Sequence, residues 1–268
     1  MLSVGLLAIL AANGSCSARV RAEEPRDARQ GEITLTVMLL TRGGAITAGE
    51  PLLARIEFRN RSDADIRLCR GNSNAGIPSF SVRDGGGRLL AASPFERSFD
   101  EMYYYSRLGP RARSHILYVI TALYEFKRPG RYRIQVQQFE SMERRTIIAE
   151  GGAWVRVLPF DALQLKARCE ELFQPLLPTS KQKYGDLPIG ARTKALYSVR
   201  HDIALPYLEW MAGKWNTPYP IRAMRRLGSE RARKLVKALA ARNDSLGRAA
   251  RHGLDLPLKI TFWDIMAD

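Results

Sequence analysis

Apolar and polar residues alternate along the first half of the chain with the period of two that β-strands show. Ile33, Leu35, Val37 and Leu39 alternate with the residues between them, which predicts a strand with one buried face. The same reasoning predicts short strands at 53–58, 66–69, 80–82, 88–91, 116–122, 132–136 and 146–158, with a hairpin turn at 84–87. Because no segment with a helical period interrupts them, the strands indicate an antiparallel β-sandwich over residues 32–158.

The pattern changes to a helical period after Pro159. Asp161 is a good N-cap, Gln164 completes a capping box, and Phe160 is placed to pack onto Leu165 as a hydrophobic staple. An apolar face then recurs every three or four residues until a proline ends the helix. Further short helices are predicted at 191–200, 203–212, 220–227, 230–242 and 244–252. Residues 159–268 are therefore assigned to a small all-α domain.

The chain begins with a short apolar run, residues 2–12, followed by small residues. The run is shorter than the roughly 20 residues of a membrane-spanning helix and fits the apolar region of a signal peptide. We therefore assign residues 1–22 to a signal peptide and 23–31 to a disordered linker. Because no Lys or Arg precedes the run, a truncated start or a buried first strand is the alternative.

Export leaves open whether the mature chain is attached to a membrane. Cys16 would allow a lipid anchor, although Asn13 stands where lipoprotein signals carry an aliphatic residue. Otherwise the chain is periplasmic or secreted. No other segment is long and apolar enough to cross a membrane, so no span is expected in the mature chain.

A short motif before one predicted strand strengthens the sandwich assignment. Residues 126–134, with Pro129, Gly130 and Tyr132, resemble the entry to a late strand in immunoglobulin-like domains. That resemblance implies an immunoglobulin-like sandwich in which the tyrosine hydroxyl bonds back to nearby backbone. Cys and Trp at antibody-domain spacing are absent, so an antibody-type domain is not indicated.

The helical half contains a pattern that recurs along the chain. Residues 195–208 and 222–236 resemble HEAT-type helical repeats, and a third partial start lies at 248–250. The spacings of 28 and 26 residues between Ala195, Ala223 and Ala249 are shorter than the usual repeat. The resemblance, over about residues 191–255, implies stacked helix pairs and a protein-binding surface, and it implies no catalytic residues.

The positive charge of the chain is concentrated in one stretch. The chain carries a formal net charge of +15, and residues 222–251 hold ten Lys and Arg against two Asp and Glu. Such a patch attracts polyanions, and for an exported protein anionic polysaccharide or lipid is a better candidate than nucleic acid. The alternative is that these residues only solvate helix faces. The basic patch consists of Arg225, Arg226, Arg231, Arg233, Lys234 and Lys237.

A second candidate surface is the aromatic and basic loop at 95–113. Loops carry much of protein function, and Tyr and Arg are favoured at binding hot spots. The alternative is that Tyr103 and Tyr105 face the core of an edge strand. The predicted partner-binding residues are Tyr103, Tyr104, Tyr105, Arg107 and Arg111.

Residues with catalytic chemistry are scattered. His115, His201 and His252 lack metal-ligand spacing, and no nucleophile elbow or nucleotide fingerprint is present. Cys169 falls on a predicted apolar helix face, and no disulfide with Cys69 is expected. We therefore assign no catalytic, cofactor-binding or metal residues. The sequence favours a non-catalytic exported binding protein of the bacterial cell envelope, with another envelope protein as partner.

Two alternatives to that function remain. One is a hydrolase of an envelope polymer with an unrecognised site, and the other is an electrostatic binder of anionic polymer or lipid.

Overall fold

The computed structural model describes residues 25–69, 78–93, 105–140, 146–176 and 187–259. Within these ranges the N-terminal half is built of β-strands and the C-terminal part of α-helices, as predicted. The proposed signal peptide, Tyr103 and Tyr104 lie outside the described residues.

The strands of the first half are β1 (Arg26–Asp27), β2 (Ile33–Leu40), β3 (Ala45–Thr47), β4 (Leu53–Asn60), β5 (Ile66–Cys69), β6 (Ser79–Asp84), β7 (Tyr105–Leu108), β8 (Arg113–Val119), β9 (Gly130–Phe139) and β10 (Ile147–Leu158). They form three sheets, with the orders β1-β5-β7, β2-β4-β8 and β3-β10-β9-β6. Most neighbouring strands are antiparallel, whereas the short strands β1 and β3 run parallel to β5 and β10.

The core of this half lies between the sheets that contain β4 and β9. Phe58, Ile56 and Ile134 are fully buried, as the alternating pattern requires. Tyr118 of β8 packs edge-on against Phe80 of β6, with ring centroids 4.9 Å apart, and so joins the two sheets.

Strand β2 crosses close to β10 at a glycine. A Cβ at Gly151 would lie 2.6 Å from the backbone oxygen of Leu35, closer than real Cβ atoms approach. Only glycine therefore allows the two strands to pack at this distance.

The hydrogen bond expected from the Tyr132 hydroxyl to nearby backbone is present, and we call this feature the tyrosine corner. The Tyr132 hydroxyl donates a hydrogen bond to the Arg128 carbonyl at 2.8 Å, and Phe126 packs edge-on against the Tyr132 ring. This bond fixes the entry to β9.

Seven helices lie in the described residues, six of them in the second half. They are α1 (Ile120–Leu123), α2 (Ala162–Phe173), α3 (Ile189–Ser198), α4 (Leu205–Trp215), α5 (Pro218–Leu227), α6 (Glu230–Ala240) and α7 (Ser245–Asp255). The apolar stripe predicted for α6 is confirmed, because Ala232, Val236 and Leu239 are buried.

Several element boundaries differ from the sequence-based expectation. The strand predicted at 116–122 ends at Val119, where α1 begins, and the return strand at 88–91 contributes only a bridge from Leu89 to Arg83. Helix α4 continues through Gly213 to Trp215 and ends at Asn216, which adopts a left-handed conformation. A single glycine inside a helix costs only about 1 kcal/mol, which packing offsets.

The segment expected to be a disordered linker, 23–31, is corrected in its described part. Arg26 and Asp27 form β1 beside β5, and Ala28 is buried. Arg26 also forms a 2.5 Å salt bridge with Glu32. Pairing with β5 supplies the backbone partners that a local charge pattern does not reveal.

Helix α2 attaches the helices to the sheets. Asp161 caps it by accepting hydrogen bonds from the N–H groups of Leu163 and Gln164. The Asp161 N–H is bound by Thr47 rather than by Gln164, which corrects the expected capping box. The buried face of α2, formed by Leu165, Cys169 and Leu172, belongs to the same continuous apolar core as the strands.

Candidate functional site

A cleft opens where the sheets meet the helices. Its volume is about 250 Å³, and five separate stretches of chain contribute to it. They are residues 48–49, Thr121 with 124–127, Phe160, Ser198 and 200–201. We call this site the junction cleft.

One wall of the junction cleft is aromatic. Phe160 is 49% exposed although it is a large apolar residue. Its ring lies against His201, with centroids 4.9 Å apart and planes tilted by 30°. The exposed part of the Phe160 ring forms an apolar surface at the opening of the cleft.

The orientation of the His201 ring is set by its own backbone neighbourhood. His201 caps the short 3₁₀ turn Asp202–Ala204, because its Nδ1 accepts a hydrogen bond from the Ile203 N–H at 3.2 Å. With Nδ1 acting as acceptor, the proton of the neutral ring resides on Nε2. His201 therefore offers Nε2–H as a donor to a ligand.

The base of the junction cleft carries two hydroxyls that are already engaged. Thr121 Oγ1 accepts from the Leu52 N–H at 3.1 Å and lies 2.9 Å from Ser198 Oγ. Ser198 Oγ in turn donates to the Ala195 carbonyl at 2.8 Å. A serine nucleophile needs a hydrogen bond to its base, whereas the described hydrogen bonds of Ser198 Oγ go to Thr121 and Ala195. The hydrogen bonds of these two hydroxyls hold α1 against α3.

Positive charge predominates at the opening. Lys127 and Arg200 line the junction cleft together with His201, and the carboxylate there, Glu125, forms a 3.0 Å salt bridge with Lys127. The site thus combines donors and cations with an aromatic wall. Such an arrangement suits a carboxylate attached to an apolar group.

The other chemically reactive group in this region is enclosed. Cys169 is fully buried, and burial, with a further contribution from nearby Glu50, raises the pKa of its thiol to about 12. A thiol with that pKa is not a nucleophile near neutral pH. Within the described ranges no three His, Cys, Asp or Glu residues are grouped to hold a metal ion.

The structure separates the predicted basic patch into two groups. Arg231, Arg233, Lys234 and Lys237 are exposed on α6, and Lys234 pairs with Glu230 at 2.7 Å.

Arg225 and Arg226 serve a different purpose on α5. Arg225 donates to the carbonyls of Gly253 and Leu256 at 2.8 and 2.7 Å, and Arg226 donates to that of Lys259 at 2.9 Å. These two guanidiniums hold the segment after α7 against α5.

The predicted partner-binding loop is only partly described. Tyr105 begins β7 and pairs with Cys69 of β5. Arg107 forms an ion pair with Asp65, and Arg111 forms one with Asp63 at 2.8 Å. Both arginines therefore tie β7 and the turn after it to the segment before β5.

Sequence reasoning did not find the junction cleft. Phe160 was assigned to a helix start and His201 to no site, and no local pattern links Lys127 with Arg200 because 72 intervening residues separate them. No helix among the described residues has the length and apolar character needed to cross a bilayer.

No model of a known protein family matches this chain, and no curated protein matches it. A CARDB domain from Pyrococcus furiosus, in complex with di-metal ions, is 10% identical over 48% of this chain and 94% of that chain, with a TM-score of 0.29.

Two larger proteins show a similar degree of likeness. The alkylpurine DNA glycosylase AlkC from Pseudomonas fluorescens is 12% identical over 49% of this chain and 31% of its own, with a TM-score of 0.27. A β-glucosidase from Listeria innocua is 13% identical over 47% and 16%, with a TM-score of 0.26. The chain spans less than a third of either protein, and such likeness assigns neither a fold family nor an activity.

Proposed function

We propose that this chain is a non-catalytic exported binding protein of the bacterial cell envelope, with the junction cleft as its ligand site. The observation that carries the proposal is the composition of the cleft. It sets Lys127, Arg200 and the His201 Nε2–H beside the exposed ring of Phe160, while its hydroxyls are engaged in structural hydrogen bonds.

The chemistry of the junction cleft defines the ligand group. A carboxylate would be bound by the cations, and an adjoining apolar group would pack on Phe160. An acidic side chain or the C-terminal carboxylate of another envelope protein, with an apolar residue beside it, would supply both the carboxylate and the apolar group. The binding event then depends on charge and on apolar contact together.

The proposed architecture is an immunoglobulin-like sandwich followed by a HEAT-like helical domain. The tyrosine corner at Tyr132 supports the first part. In the second part the alanines that recur along the sequence, Ala195, Ala223 and Ala249, are buried in α3, α5 and α7, and α5 contacts both of the other helices. This repetition is the support for stacked repeats.

Export rests on the apolar run at residues 2–12. Fractionation of cells expressing the chain is expected to recover it outside the cytoplasm. Replacing Leu6 and Leu7 with arginine interrupts the run and is expected to retain the chain inside. Equal distribution of both forms would contradict export without affecting the binding proposal.

The ligand site is tested by thermal unfolding with two matched probes, phenylacetate and its neutral analogue phenylacetamide. A ligand that binds the native state raises the unfolding midpoint as its concentration rises. We expect phenylacetate to do so and phenylacetamide to act much more weakly. Arg200→Gln is expected to abolish the difference, whereas Arg248→Gln, the same change on the exposed surface of α7, is expected to preserve it.

Two results would refute the binding site. One is equal stabilisation by both probes, which would remove the role of charge. The other is an unchanged response in Arg200→Gln. Release of product from an ester or glycoside substrate at a rate that depends on His201 would instead support the hydrolase alternative.

A further inference from the structure

The outer face of the sheet β3-β10-β9-β6 carries an unusual set of side chains, which we call the arginine face. From Tyr132 along β9, and at the end of β10, every second residue is buried, including Tyr132, Ile134, Val155 and Val157. The residues between them therefore point outward. The exposed members are Arg83, Arg131, Arg133, Trp154 and Arg156.

The strand register places like charges directly opposite each other. Arg83 of β6 is paired with Arg133 of β9, and Arg131 of β9 is paired with Arg156 of β10. Directly opposed like charges on one face of a sheet are destabilising. Two such pairs on the same face therefore work against folding stability.

No described carboxylate neutralises these arginines. Among the residues that the structure covers, none of the four forms a salt bridge, and Arg83 donates only to the Gly87 carbonyl at 3.0 Å. The acidic residue on this face is Glu150, which lies near the amides of Gln135 and Gln137 at the opposite end of the strands. The positive charge is thus concentrated at one end.

Trp154 lies within the group of arginines. It is 50% exposed, pairs across the strands with Arg133, and has the Arg131 guanidinium carbon 5.0 Å from its ring centroid. That contact is a cation–π interaction. The next outward position on β10 is Gly152, where a Cβ would lie 2.8 Å from the Ile134 backbone oxygen and 3.8 Å from Arg133 Nε, so the Arg133 side chain lies close to the glycine beside the indole.

We propose that the arginine face binds an acidic polysaccharide. One sugar ring would lie on the part of the Trp154 ring that Arg131 does not cover, and acidic groups of the flanking sugars would pair with the guanidiniums. Neighbouring outward residues lie about 5 Å apart across the strands and about 7 Å apart along them, so one extended chain contacts several arginines at once. An anion would also relieve the repulsion within both arginine pairs.

A glycan fits this surface better than a nucleic acid does. Single-stranded nucleic acids are bound by aromatic rings that stack successive bases. The arginine face sets one ring among four guanidiniums, with glutamine amides further along the same strands. Amides of this kind hydrogen-bond to sugar hydroxyls. The face is also distinct from the junction cleft, and its role does not depend on ligand binding there.

The test measures binding of alginate, an acidic polysaccharide, to the chain by titration at about 0.05 M and 0.5 M salt. Affinity is expected at the lower concentration and a marked loss at the higher, because salt screens exposed charges. Neutral dextran is expected to show no binding. A single-stranded oligonucleotide of similar charge serves as the competing polymer.

Three variants separate the possible surfaces. Arg131→Gln combined with Arg156→Gln is expected to weaken alginate binding by about tenfold or more, and Trp154→Ala by several-fold. The matched control, Arg231→Gln with Lys234→Gln on α6, removes the same charge and is expected to bind as the unmodified chain does.

A stability measurement distinguishes a binding role from a structural one. Because the paired arginines repel each other, the Arg131→Gln and Arg156→Gln double variant is expected to unfold at the same or a higher temperature while it binds less. Unfolding at a clearly lower temperature would show that the arginines stabilise the sheet, and would overturn the proposal. Unchanged binding in this variant, loss of binding in the α6 control, or tighter binding of the oligonucleotide would each overturn it as well.

Discussion

The hydroxyl oxygens of Thr121 and Ser198 lie 2.9 Å apart and connect helix α1, which directly follows β8, to helix α3. Thr121 also accepts the hydrogen bond of the Leu52 N–H at 3.1 Å. Thr121→Val keeps the shape of the side chain but leaves that buried backbone group without its acceptor. We expect the free energy of unfolding to fall by about 1–3 kcal/mol, measured by urea denaturation.

Thr193→Ala is the control for this variant. Its hydroxyl only bonds to the Ile189 carbonyl of its own helix and is close to solvent. A change below about 0.5 kcal/mol is expected. If both variants lose the same stability, the contact between α1 and α3 has no special importance.

The tyrosine corner yields a second prediction. Tyr132→Phe removes one hydroxyl, whose 2.8 Å bond to the Arg128 carbonyl fixes the entry to β9. We expect a loss of roughly 0.5–1.5 kcal/mol, because the ring and its contact with Phe126 remain. Tyr219→Phe, at a half-exposed residue of α5, is expected to have almost no effect. Equal stability of the two variants would argue against the corner.

The close crossing of β2 and β10 yields a third prediction. Gly151→Ala would place a Cβ 2.6 Å from the Leu35 backbone oxygen, so one strand has to move. We expect one of the largest losses of any alanine substitution in the chain, more than about 3 kcal/mol in denaturant unfolding. Gly86→Ala in the hairpin turn, where the nearest atom would be 3.5 Å away, is expected to be mild. Tolerance of Gly151→Ala would mean that the strands are further apart.

Acid unfolding tests the Arg26 and Glu32 pair. The hydrogen bond from Arg26 lowers the pKa of Glu32 from the usual 4.5 to about 2. A lowered carboxyl pKa adds stability that is present above the unfolded pKa and is lost as the pH falls toward the folded one. Glu32→Gln is therefore expected to reduce the dependence of stability on pH between about 5 and 2. Glu209→Gln on the exposed side of α4 is expected to leave that dependence unchanged.

Much of the fold could be predicted because strands and helices leave local periodic patterns. The alternation from Ile33, the change of period after Pro159 and the motif ending in Tyr132 all lie within a few consecutive residues. The helix ends at Gly213 and Gly253 were misplaced because packing between helices outweighs the weak local preference of glycine. Strand β1 depends on its partner β5, which no local pattern shows.

The two surfaces proposed for binding differ in how far they could be predicted from the sequence. The junction cleft joins Lys127, Phe160 and Arg200, and only the folded chain brings these residues together. The outward arginines of β9 can be picked out from the alternating pattern. The repulsion between these arginines and Arg83 and Arg156 depends on the strand register, which the sequence alone does not define.

Helix α2 has a consequence for how the protein unfolds. Its buried face, with Leu165, Cys169 and Leu172, completes a core that continues from the strands into the other helices. Because neither half buries that surface alone, loss of one half exposes apolar area on the other. Both halves are expected to melt in a single cooperative transition. A ligand held in the junction cleft would then protect the whole described chain, including strands that it never touches.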